Sequence, residues 1–206
     1  VADVHGEGLT ELERRSTVTR LGRGVDTSGQ LPAEAIEDVC GAVAEYISIY
    51  EPLEPDRVVA IVPVDTLQNV EAKVPPEQLD AVFKQLQADF KTATTGLLNQ
   101  FFFSPTTPAA VKERVIKEAT SRQPDVALAI LKAIFSYDSA AALREVKVPV
   151  RAINADRTPT DVEVNRKYAP QFDAVIIKGT GHYPMLEDPA RFNQMLADIL
   201  RNLPRK

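Results

Sequence analysis

Two histidines stand in this chain of 206 residues, and each follows a run able to form a strand and neighbours glycine. His182 lies in Asp173 to Pro189, D-A-V-I-I-K-G-T-G-H-Y-P-M-L-E-D-P. Ala174 to Ile177 can pair in a sheet, and Gly179 and Gly181 free the backbone to turn sharply and hold the imidazole outward. An imidazole placed there suits a base. His5, in V-A-D-V-H-G-E-G, stands at another strand end, and beside Gly6 it reads as shaping a loop rather than moving a proton.

Acyl transfer needs a nucleophile, a base within hydrogen-bond reach, a carboxylate to orient that base, and backbone N–H groups for the oxyanion. Three of these four have candidates. His182 is the base. Asp156, in A-I-N-A-D-R-T-P-T, lies just past an expected strand and would emerge from a parallel sheet at the same C-terminal edge, so it is the candidate orienting carboxylate. Its bland reading is a turn cap before Pro159, and Asp161 reads as the N-cap of the next helix. Asp65 ends another expected strand at that edge and competes with Asp156. Main-chain N–H groups near Gly6 and Glu7 are the candidate oxyanion donors, Glu7 acting through its backbone. The nucleophile is unidentified: Ser48 sits between Ile47 and Ile49 without the glycines of a strained elbow, and Cys40 reads as a small buried side chain on a helix.

The elements that must position these groups follow from hydrophobic periodicity. Ile36, Val39, Val43 and Ile47 recur at helical spacing after Pro32, predicting a helix over Pro32 to Tyr46. V-V-A-I-V-P-V, Val58 to Val64, is a continuous apolar run enriched in β-branched residues, of the kind a parallel sheet covers on both faces. From about Pro75 to Ala142 the pattern is helical throughout, with Pro105, Pro108 and Pro124 as breaks. Strand patterns return at Val148 to Ile153 and Ala174 to Ile177, followed by an amphipathic helix from Pro189 to Leu203. The predicted architecture is α/β, a mostly parallel central sheet flanked by helices, with an all-helical cap inserted after the strand ending near Val64. Residues 1–70 and 143–206 form the expected core and 71–142 the expected cap. Phe101, Phe102 and Phe103 fall in that cap. They read as packing between cap and sheet, or, functionally, as the lining of an apolar substrate pocket.

Composition narrows the partners. With 24 Lys and Arg against 29 Asp and Glu, the net charge is −5, and no basic run offers a footprint for nucleic acid or anionic lipid. A small-molecule substrate is the expected partner. No apolar stretch approaches the roughly 20 residues that span a bilayer, so no membrane association is expected. The single cysteine rules out an internal disulfide and a Cys-cluster metal site. The expected compartment is cytoplasmic, with a removed export signal left open by the start at Val1. Nothing in the sequence fixes an oligomeric state.

From about Asp56 to Leu203 the chain resembles the C-terminal half of an α/β-hydrolase-fold enzyme. P-D-R-V-V-A-I-V-P-V-D-T resembles the strand after the nucleophile helix, V-K-V-P-V-R-A-I-N-A-D the acid strand, and G-T-G-H-Y-P-M-L-E-D-P the histidine loop, with a helical cap between the first two. More loosely, H-G-E-G resembles the oxyanion loop and L-G-R-G-V-D-T-S-G a glycine-rich turn. The resemblance implies an esterase-like hydrolase acting on a small ester or related carbonyl substrate through a nucleophile–His–Asp triad, with no metal and no organic cofactor. Some relatives of this fold draw their acid from the position of Asp65. The chain departs from the pattern between the helix at Pro32 to Tyr46 and the strand at Val58. I-S-I-Y-E-P-L-E-P-D-R cannot hold a strand of about 5 residues, the elbow and a helix of about 10. We expect omitted segments, because losing a central strand would strip the cover from Val58 to Val64 at roughly 25 cal/mol per Å². The alternative is a non-catalytic small-molecule-binding protein on the same fold.

Overall fold

The structure, a computed structural model, describes residues 58–203. His5, Gly6, Glu7, Cys40, Ser48 and the predicted helix Pro32 to Tyr46 lie outside the described residues. Val150–Ala155 (β1) and Phe172–Ile177 (β2) pair in parallel, Val150 opposite Phe172 and Ala155 opposite Ile177. On the other side of β1, Ile61 and Val64 form parallel bridges with Val150 and Ile153. Four bonds of 2.9 to 3.0 Å make that pairing: Ile61 N–H to Pro149 O, Arg151 N–H to Ile61 O, Ile153 N–H to Pro63 O and Asp65 N–H to Ile153 O. The run predicted as a strand over Val58 to Val64 is thus tied to β1 at two points. Pro63 within it and Pro149 opposite each lack the N–H that a continuous ladder needs. All three segments run the same way, so the residues that follow them, Asp65, Asp156 and the loop to His182, leave at one end of the sheet.

β1 is the buried centre, with Val150, Ala152, Ile153, Asn154 and Ala155 all at most 1% exposed. Alternation sends its side chains to opposite faces. Val150 and Ala152 join Leu143, Val146, Val148, Ala169 and Phe172 on one face. Ile153 joins Ile177, Phe192 and Ile199 on the other. That second face is covered by the helix Pro189–Arg201, which starts where Asp188 accepts the N–H of Arg191 and Pro189 fills the first turn. Its Phe192, Met195, Leu196 and Ile199 recur at helical spacing and pack on the sheet. Each fully buried side chain of this size contributes about 1.5–3 kcal/mol.

Between the bridged segment and β1 the described chain is helical: α1 (Pro76–Ala88), α2 (Phe90–Leu97), a short π-helix (Leu98–Phe102), α3 (Ala109–Thr120), α4 (Pro124–Ser136) and α5 (Ser139–Glu145). Pro76 opens α1, and Pro124 opens α4 at a break the sequence predicts. The break at Asp89 is not a proline break; the Asp89 carboxylate accepts the N–H of Thr92 and caps α2. Leu98, Phe103 and Val115 form this block's core, and Tyr183 and Leu186 from beyond β2 pack into it. After β1, α6 (Val162–Arg166) is capped by Asp161, as expected, through the N–H of Val164. Pro184–Glu187 (α7) follows β2, and Pro189–Arg201 is α8. Among the described residues no single helix is long and apolar enough to cross a membrane.

Candidate active site

Asp65 stands at the exit of the segment bridged to β1, with a backbone φ of 46°, and Leu67 follows at 55°. Left-handed backbone at a residue other than glycine costs about 1–3 kcal/mol and persists only where its surroundings enforce it. Two fully buried asparagines do so here. Asn154 of β1 accepts the N–H of Thr66 at 3.2 Å and donates to Thr160 Oγ1 at 2.9 Å. Asn165 of α6 accepts the N–H of Val70 at 3.1 Å and donates to Leu67 O at 2.5 Å. The Asp65 carboxyl is fixed in turn: Oδ1 accepts the N–H of Ala155 at 2.9 Å, and Oδ2 meets His182 Nδ1 at 2.7 Å.

His182 is brought to that carboxyl by a loop anchored along its length. Gly179, at φ 75°, takes a conformation that favours glycine, and its N–H goes to Asp156 Oδ1 at 2.9 Å. Thr180 Oγ1 donates to Ile177 O at 3.1 Å. The N–H of His182 donates to Phe102 O at 2.7 Å. The ring lies edge to face with Phe102 and Tyr183, centroids 4.8 and 5.1 Å away. The Asp65 side chain is 12% exposed and that of His182 36%, so the acid is enclosed and the imidazole is reachable. With a carboxylate accepting at Nδ1, the neutral ring carries its proton there and offers Nε2 as the base. Among the described residues no hydroxyl is hydrogen-bonded to Nε2.

Asp156, expected to orient His182, has a different partner. It is exposed, one residue beyond β1, and meets the beginning of the histidine loop at Gly179. The turn at Gly179 then carries the chain back across β1, so His182 lands over Asp65. Both aspartates leave the same sheet edge, and the loop path decides which one the imidazole reaches. Of the three phenylalanines expected to line a pocket, the structure places Phe102 against His182, leaves Phe101 57% exposed, and buries Phe103 in the helical block. Burial, and then the charge of Glu118, push the Tyr183 phenol above its ordinary value.

Sequence reasoning missed the supports of this site. Arg157 donates through Nη2 to Gln100 O at 2.7 Å and through Nη1 to Phe103 O, gripping the carbonyls at the end of the π-helix. Ser104, Thr107 and Glu187 connect the turn after the π-helix to the histidine loop. Glu187 lies within the histidine-loop motif, but a carboxylate after a proline reads as an ordinary helix residue. Among the described residues no group of His, Cys, Asp and Glu is poised to hold a metal ion. A hollow on α3 lined by Ala110, Glu113, Arg114, Lys117, Glu118 and Ser121 contains neither His182 nor Asp65.

No protein-family model matches the sequence, and no curated protein matches it. Solved structures do. A bromoperoxidase from Bacillus anthracis superposes with a TM-score of 0.64 at 16% identity, over 82% of this chain and 73% of its own. A hydrolase from Oleispira antarctica gives 0.65 at 13% identity, over 95% of this chain and 76% of its own. A thermophilic esterase from Thermogutta terrifontis gives 0.59 at 18% identity, over 82% of this chain and 62% of its own. At such identities the likeness is one of fold.

Proposed function

Because the chain has the α/β-hydrolase fold, we propose that it is a hydrolase of small esters or related carbonyl compounds, with His182 as general base and Asp65 as its orienting carboxylate. The observation that carries this reading is the 2.7 Å contact between His182 Nδ1 and Asp65 Oδ2, at the C-terminal edge of parallel strands. His182 Nε2 takes the proton of a nucleophile supplied from outside the described residues as that nucleophile attacks the carbonyl carbon. Asp65 holds the tautomer and stabilises the imidazolium, and the proton passes on to the leaving group. Water then attacks the acyl-enzyme with His182 again as base. Backbone N–H groups near Gly6 and Glu7 are the proposed oxyanion donors, and the helical block of residues 71–142 is the proposed cap, with Phe102 as the one member of its phenylalanine run beside the reacting centre. The esterases and hydrolases among the structural neighbours support this class of chemistry.

The test is hydrolysis of short-chain nitrophenyl esters by the protein and by His182→Ala. The variant is expected to lose about a thousandfold in kcat, within the range of general-base contributions. Equal rates overturn the proposal. A second reading, a binding protein on the same fold, is favoured by the short connection from Ile47 to Arg57; it predicts that the unaltered protein binds such esters without turning them over.

A further inference from the structure

We propose that Glu187 is a positioning residue for His182, setting the aim of the imidazole by clamping the backbone on both sides of it. This rests on the reading of His182 as the base. Glu187 closes α7, and its carboxyl gathers four donors. Oε2 accepts the N–H of Gly181 at 2.9 Å, Thr107 Oγ1 at 2.6 Å and Ser104 Oγ at 3.4 Å. Oε1 accepts the N–H of Tyr183 at 3.3 Å. The residues before and after His182 are therefore bonded to one carboxyl group, while the N–H of His182 goes to Phe102 O at 2.7 Å. Three successive backbone donors are committed, which fixes the Cα of His182 against rotation and directs Nδ1 to Asp65.

The same carboxyl ties the histidine to the helical block. Ser104 and Thr107 belong to the turn after the π-helix, where the N–H of Ser104 donates to Thr107 Oγ1 at 2.8 Å. Thr106 Oγ1 adds a bond to Gly179 O at 2.5 Å. Gly181 lets the two segments touch, since a Cβ there would lie 2.3 Å from Phe102 O and 2.8 Å from Ser104 N. Removing the Glu187 carboxyl strands the donors of Gly181 and Tyr183 and frees the loop to rotate, although no atom of Glu187 needs to touch a substrate.

The experiment follows the Nδ1 proton of His182 by NMR in the full chain labelled with ¹⁵N-histidine, reading its exchange with solvent. Glu187→Gln keeps one accepting oxygen and is expected to raise the exchange rate about tenfold, the effect of a single lost hydrogen bond. Glu187→Ala is expected to take the proton beyond detection. Ile199→Ala, which loosens the core under α8 away from this network, is expected to leave the rate unchanged. An unchanged rate in Glu187→Gln overturns the proposal, as does an equal rise in Ile199→Ala, which would mean that general loosening is enough. Absence of the proton signal from the unaltered protein at neutral pH instead overturns the reading of His182 and Asp65 on which the proposal stands, and the proposal with it.

Discussion

Asp65→Asn is expected to lower ester turnover about 10³–10⁴-fold, while Asp156→Asn lowers it less than about tenfold. The difference follows from what each carboxylate touches. Asp65 is enclosed, is held by the N–H of Ala155 and lies 2.7 Å from His182 Nδ1. An amide in its place fits the same space but carries no charge to balance the imidazolium, and its NH₂ group, turned to the ring, imposes the wrong tautomer. Among the described residues Asp156 accepts only the N–H of Gly179, at 2.9 Å, and the amide oxygen of asparagine accepts that bond equally well. Comparing kcat for the two variants on one nitrophenyl ester decides the matter. A larger loss in Asp156→Asn would return the acid role to the loop after β1.

Gly181→Ala is expected to destabilise the fold by about 3 kcal/mol, at the upper end of overpacking costs, and to lower Tm by about 10 °C for a chain of this size. The methyl group would lie 2.3 Å from Phe102 O, 2.8 Å from Ser104 N and 2.9 Å from Glu187 Oε1. Two of these three atoms are backbone, so rotating a side chain does not relieve the crowding. Gly179→Ala meets no neighbour within 4 Å and pays only for its φ of 75°, about 1 kcal/mol. Thermal unfolding of the pair should therefore separate them clearly. A Gly181→Ala protein that melts within about 2 °C of the unaltered chain would mean that the histidine loop does not press on the turn at Ser104.

The contrast between Asp65 and Asp156 also marks how far the sequence could be read. Hydrophobic pattern and proline placement located β1, β2, α8 and the helical block, because each buries a periodic face or ends at a residue with no donor. The same logic put Asp65, Asp156 and His182 at one sheet edge. The pairing of His182 was not legible, because it depends on how sharply the chain turns at Gly179 and on the left-handed backbone at Asp65 and Leu67, neither of which leaves a periodic trace. Asn154 and Asn165 were hidden for a related reason. A polar residue in a strand or short helix reads as a solvent-facing position, whereas both are fully buried and hold the loop that carries Asp65. The network of Ser104, Thr107 and Glu187 joins residues far apart in the chain through side-chain oxygens that spacing alone cannot match.

The pairing itself is open to direct observation in the Nδ1 proton of His182, seen by NMR in ¹⁵N-histidine-labelled protein with His182→Gln to assign it. A hydrogen bond to Asp65 requires a strongly downfield resonance that survives in Asp156→Asn and vanishes or moves far upfield in Asp65→Asn. A resonance that persists unchanged in Asp65→Asn, or is lost in Asp156→Asn instead, contradicts the assignment of Asp65 as the carboxylate that orients the base.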